Sequence, residues 1–144
     1  MDKLSSLMIR AALCWLGLGV LIGAAMLSWG VWNASWLLSL RPGHIHMLVV
    51  GWLIQFALGV GYWLFPRMKP ESKTWISHRR IGVAAFIAVN VGLAGRVVLE
   101  PLLTLNVGSR PLAILLFLSG ILQALAVLVF IAQLWPRVGP RKRP

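Results

Sequence analysis

Four uninterrupted apolar runs, at roughly residues 10–36, 44–65, 81–103 and 112–135, constrain this chain more than any other feature. Each supplies the ~20 residues that a helix needs to cross a hydrocarbon slab about 30 Å thick. Backbone polar groups find no water inside such a slab, and a helix satisfies them within one segment. The expected fold class is therefore an all-α membrane protein with four transmembrane helices. These helices consume most of the 144 residues, which leaves a single domain over 1–144 and no separate catalytic module. Any chemistry belongs inside the helices or at their ends.

The first run imitates a secretory signal, because Lys3 and Arg10 precede an apolar stretch that carries the small residues GAAM. Its length, with Trp15, Trp29 and Trp32, argues for a retained helix. Cys14 is the single cysteine, so it supports no intrachain disulfide and no cysteine metal cage; it reads as a packing residue.

A net charge of +11 suggests nucleic acid in a soluble protein, but in a membrane protein charge is read segment by segment. Lys3 and Arg10 precede the first run. Arg67, Lys69, Lys73, Arg79 and Arg80 lie between the second and third, and Arg137, Arg141, Lys142 and Arg143 follow the fourth. All of these fall on one side of a four-span hairpin, leaving Arg41, Arg96 and Arg110 toward the other. The positive-inside rule then makes both termini cytoplasmic. Trp29, Trp32 and Trp36 mark the outer interface, and Trp63, Phe65, Trp75 and Trp135 the inner one. The basic tail faces anionic lipid at about 1 kcal/mol per residue, so the bilayer, and no nucleic acid, is the expected partner.

This topology puts His44 and His46 at the outer end of the second helix, after a Pro42-Gly43 turn. Ionisable residues in a membrane segment are costly and tend to face a cavity, a partner or a cofactor. Two headgroup-facing histidines are the simpler alternative. Residues i and i+2 on a helix stand about 200° apart, so the two rings point to opposite faces and cannot grip one ion together. Leu48, Gly51, Gln55 and Tyr62 continue the His44 face; Val49, Val50, Leu53, Val60 and Trp63 continue the His46 face. Gly51 and Gly59 leave shallow backbone for a neighbouring helix or a flat macrocycle.

The segment HIHMLVVGW, followed in register by Gly59, Tyr62, Leu64 and Pro66-Arg67, resembles the tenth helix of the catalytic subunit (subunit I) of heme-copper oxidases. The likeness is strongest to the C-type branch, which carries b-type hemes, and covers one helix of the four. In that family the first histidine of the pair ligates the high-spin heme and the second the low-spin heme. The resemblance thus implies heme b as cofactor and His44 and His46 as metal ligands. It also implies Gly51 and Trp52 beside the macrocycle and Arg41 and Arg110 near its propionates, although the family's arginine pair is absent. A bacterial-type inner membrane is the implied location.

The departures carry equal information. His78 is the only further histidine, and it lies in the loop on the opposite side of the membrane. No copper site or oxygen-reducing centre of the family's kind can be assembled from this chain, so turnover by the chain alone is not expected. The family's catalytic subunit comprises about a dozen helices in three arcs, and closed symmetry is usual for identical subunits. This chain resembles one arc of that ring. A homotrimer is expected over a dimer, with each heme held by His46 of one copy and His44 of the next. Met26 is an alternative axial ligand, though methionine is more often a core filler. Arg96 and Glu100, spaced i, i+4, form an ordinary helix salt bridge. Electron transfer with an unidentified redox partner is the leading function. A heme carrier or gas sensor with a labile axial position is the alternative, and a structural subunit without cofactor the third reading.

Overall fold

A computed structural model describes residues 2–65, 73–105 and 109–138, with backbone only for 73–77. Pro66, Arg67, Lys69, Arg141, Lys142 and Arg143 lie outside the described residues, as do the side chains of Lys73 and Trp75. Four long helices make up the fold: α1 (Lys3–Leu27), α2 (Ser35–Leu64), α3 (Lys73–Thr104) and α4 (Arg110–Leu134). Each contains a stretch long and apolar enough to cross a membrane. The chain is a multi-pass membrane protein by length and composition.

The first three helices depart from the expected boundaries; α3 begins at Lys73 rather than residue 81, so His78, Arg79 and Arg80 lie on the helix and not in a loop. α1 stops at Leu27 rather than continuing to residue 36, where Ser28 turns its hydroxyl back onto the Ala25 carbonyl (2.7 Å). One helical turn, Trp29–Trp32, follows and ends at Asn33 in the left-handed region (φ 52°). Asparagine is among the few non-glycine residues that enter this region readily. α2 begins at Ser35, not at residue 44, and Pro42 sits inside its first α-helical turn rather than in a loop. Proline is tolerated there because the first N–H groups of a helix need no internal acceptor. Trp29 and Trp32 fall in this connection and Trp36 at the start of α2, all three exposed.

α2 is not one uniform helix. A 3₁₀ stretch (Ser35–Leu40) leads into an α-helical turn (Arg41–His46), then a π-helical segment (Met47–Ile54), then α-helix again (Gln55–Leu64). The buried positions explain the π segment. Met47, Gly51, Gln55 and Gly59 face inward at intervals of four, and an α-helix would carry such a row about 40° round per step. Wider π turns absorb the excess and keep the row on one face.

Successive helices pack side by side, α1 on α2, α2 on α3 and α3 on α4, while α1 and α4 make no close backbone approach among the described residues. Small residues set the approach. The space above Gly51 is filled by Trp15 of α1 and Leu93 of α3; Gly92 of α3 lies against the backbone of Ser119 and Gln123 on α4. All four helices meet at the end that holds the N-terminus. Leu4, Met8, Tyr62, Ala85, Val89, Ala126, Phe130 and Leu134 form the buried core there, with the Tyr62 and Phe130 rings edge to face. Elsewhere large apolar side chains point outward, as a lipid-facing surface requires, and Cys14 is on that outward surface rather than packed inside.

Polar groups tie the helices at mid-depth. Trp15 Nε1–H donates to Asn90 Oδ1 (2.7 Å), and Asn90 Nδ2 donates to the Phe86 carbonyl (2.8 Å). Gln55 Nε2 donates to the Met8 carbonyl (3.3 Å), whereas the buried amide nitrogen of Gln123 has no partner. Trp15→Phe removes the donor to Asn90 and is expected to lower stability by about 1 kcal/mol, the scale of interhelical hydrogen bonds in bilayers. Unfolding in mixed micelles measures it, and an unchanged midpoint would deny the bond any weight.

Candidate functional site

The end of the bundle opposite the core carries the histidines. His44 and His46 lie in the short α-helical turn of α2, two positions apart, and their rings diverge as the helical period requires. His44 packs onto α1. Its ring covers Gly23, where an added Cβ would come within 2.8 Å of Cε1, and its Nδ1 lies 2.8 Å from the Gly19 carbonyl oxygen. His46 turns toward α3, with Nδ1 2.9 Å from the Pro42 carbonyl oxygen and 3.8 Å from Glu100 Oε2.

A carbonyl oxygen can only accept, so each Nδ1 donates to the carbonyl beside it. Nε2 is the ring nitrogen left for another partner, and both histidines are partly exposed. Metal-ligating histidines show this arrangement: a carbonyl or carboxylate holds one ring nitrogen and presents the other.

Glu100 completes the neighbourhood. It is the one acidic residue within the apolar spans, and its side chain is only 8% exposed. Arg96 Nε and Nη2 both donate to Oε1, the former at 2.8 Å, which forms the expected i, i+4 pair. Oε2 is buried without a hydrogen-bond partner, a condition that costs about 1–3 kcal/mol. Sequence reading treated Glu100 only as a partner for Arg96. Its isolation as the sole acid in a span was the signal that could have marked it for the site.

The other expected site residues are placed as follows. Arg41, at the start of the α-helical turn, and Arg110, at the start of α4, are exposed and have no carboxylate partner among the described residues. Gly51 is buried under Trp15 and Leu93, so in the single chain its smallness serves the close approach of three helices. Trp52 is half-buried one position on, within the π segment. π-helical turns are rare and recur at functional sites, and this one begins at the residue after His46.

No family model, curated protein or solved structure matches the chain. Its function is read from the site alone. Among the described residues no cluster of three His, Cys, Asp or Glu side chains stands ready for a metal ion. The donor set is instead two imidazoles on opposite faces of one helix. Two imidazoles also form the axial donor set of a low-spin b-type iron, one on each side of the macrocycle. The residues present fit that group on one condition: the two nitrogens on any one iron must come from different chains.

His78 lies far from this end. Gln133 Nε2 donates to its backbone carbonyl (3.0 Å) beside the core, and Tyr62 of the same core is 16 residues along α2 from His46. It therefore cannot serve as a further ligand within the chain.

Proposed function

We propose that this protein is a b-type heme protein of the membrane, in which His46 of one copy and His44 of a neighbouring copy hold a common iron, and that it transfers electrons. The carrying observation is the pair of diverging rings, each with Nδ1 held at a backbone carbonyl (2.8 and 2.9 Å) and Nε2 left as the nitrogen that could ligate a metal. The resemblance of residues 44–67 to the ligand helix of heme-copper oxidases supports the same reading.

Heme b supplies a one-electron couple, and with two imidazole ligands it leaves no vacant position for oxygen. The protein's part is orientation. Gly19 and Pro42 hold the two rings through their Nδ1–H groups, and Arg41 and Arg110 offer unpaired cations at the same end for propionates. Three copies in a ring satisfy the ligand count with equivalent interfaces, and a twofold dimer is the competing arrangement. The charge distribution along the chain supports cytoplasmic termini in a bacterial-type inner membrane, with the histidines at the outer face.

The direct test is an absorption spectrum of the detergent-purified protein, oxidised and dithionite-reduced, with heme counted per chain. Sharp low-spin b-type bands at about one heme per chain are expected for ligands shared around a ring. A protein that stays colourless despite ample heme supply overturns the reading. Carbon monoxide binding to the reduced protein would move it to a carrier or sensor.

A further inference from the structure

Resting on the heme reading, we infer that Glu100 is the positioning residue for His46: with Nε2 bound to iron, the His46 Nδ1–H turns from the Pro42 carbonyl to Glu100 Oε2. The result is an Arg96–Glu100–His46 chain across α2 and α3. Three observations carry this. Oε2 is buried without a hydrogen-bond partner in a side chain more than nine-tenths enclosed, and it lies 3.8 Å from Nδ1 of His46, the ring nitrogen that donates to the Pro42 carbonyl. Both donating nitrogens of Arg96 go to Oε1, so the arginine orients the carboxyl group without satisfying its second oxygen. Gly43 of α2 lies against the Val97 backbone of α3, so the two helices that carry the groups are held in close contact at this level. Pro101 adds to this, since it has no N–H to offer the Val97 carbonyl four residues back.

With iron on Nε2, the His46 ring would carry less electron density and its Nδ1–H would be the better donor. A carboxylate is then a stronger acceptor than a neutral carbonyl, at an N–H···O⁻ separation of about 2.8 Å. The ring has to close about 1 Å, and the present contact with Pro42 is the alternative seat of the same proton. His44 has no such partner, since its Nδ1–H ends on the Gly19 carbonyl. Each iron is thus held by two unlike imidazoles: one carbonyl-backed, one carboxylate-backed. A carboxylate behind the ligand raises its basicity and favours the ferric state, so Glu100 lowers the midpoint potential.

The test compares the heme-loaded wild type with Glu100→Gln and with the double variant Arg96→Gln/Glu100→Gln, which leaves no unpaired buried charge and so guards against misfolding. Heme retention on dilution is expected to weaken about tenfold, the lower end of effects of partners behind a metal ligand. At a fixed potential the ferrous-to-ferric ratio is expected to rise about tenfold, equivalent to about 59 mV for one electron. The low-spin bands remain, because Nε2 is untouched. A heme-bearing wild type whose folded double variant keeps the same potential and retention overturns the inference while leaving the heme reading intact. A colourless wild type overturns both.

Discussion

His44→Ala and His46→Ala proteins are each expected to lose the six-coordinate b-type spectrum entirely, while still inserting as four-helix membrane proteins. Both rings sit at the end of the bundle away from the core of Leu4, Met8, Tyr62 and Phe130, so their removal leaves the main packing intact. Loss of colour alone does not separate a ligand from a structural histidine, because His44 also fills the space over Gly23 and bonds the Gly19 carbonyl. Imidazole separates them. Added to the His44→Ala protein it can occupy the vacated space and offer a nitrogen to iron, which restores the bands of a ligand site and does nothing for a purely structural one. Co-assembly of the two variants goes further. An interface that takes His46 from a His44→Ala chain and His44 from a His46→Ala chain is intact, so random mixing in closed rings restores about a quarter of the sites. Hemes held within single chains would show no restoration, and that outcome would end the shared-ligand arrangement.

The hydropathy of the sequence was enough to find the four spans, and the i, i+2 spacing was enough to send the two histidines to different neighbours. Of the His44 face, Gly51, Gln55 and Tyr62 are buried and Leu48 half-buried; of the His46 face, Val49, Leu53 and Trp63 are exposed, but Val50 and Val60 are half-buried, with Val50 against the core. What hydropathy could not locate was the end of α1, because Trp29, Val31 and Trp32 continue an apolar run through a break that depends on one asparagine in a left-handed conformation. Nor could it show the π segment. That feature follows from a four-residue spacing of Met47, Gly51, Gln55 and Gly59, and two glycines in a membrane helix carry no apolar signal to count. The environment of His46 was hidden for a different reason. Glu100 is 54 positions along the chain from it, and only the packing of Gly43 against Val97 brings the carboxyl group to the ring. The proton positions on both rings were equally out of reach, since they depend on which carbonyls lie beside Nδ1.

Gly51→Val is expected to damage the bundle interior strongly, because three helices meet on that one missing side chain. A Cβ there would come within 2.7 Å of Leu93 Cδ2, 2.7 Å of Trp15 Cγ and 2.8 Å of Trp15 Cβ. Leu93 Cδ2 is the end of a flexible side chain and can give way. Trp15 Cβ is one bond from the α1 backbone and can give way only if α1 moves. Movement of α1 breaks the Trp15–Asn90 hydrogen bond and draws the Gly19 carbonyl away from His44, so damage at mid-depth reaches the ligand end. Overpacking of a close-packed interior costs about 1–3 kcal/mol, and the lost hydrogen bond adds about 1 kcal/mol. The expected result is a lower unfolding midpoint in micelles together with weakened heme retention. Gly51→Ala should show a smaller effect in the same direction. Gly17, on α1 with nothing within 4 Å of its missing Cβ, supplies the control. Gly17→Ala should be neutral or slightly stabilising, since alanine is the better helix former. The double variant Trp15→Gly/Gly51→Ala should lose less stability than its two single changes combined, because the glycine at 15 removes both Cγ and Cβ from the space that the new Cβ needs. Additive losses would instead mean that Trp15 and Gly51 act independently and that α1 is not fixed against α2 at this point.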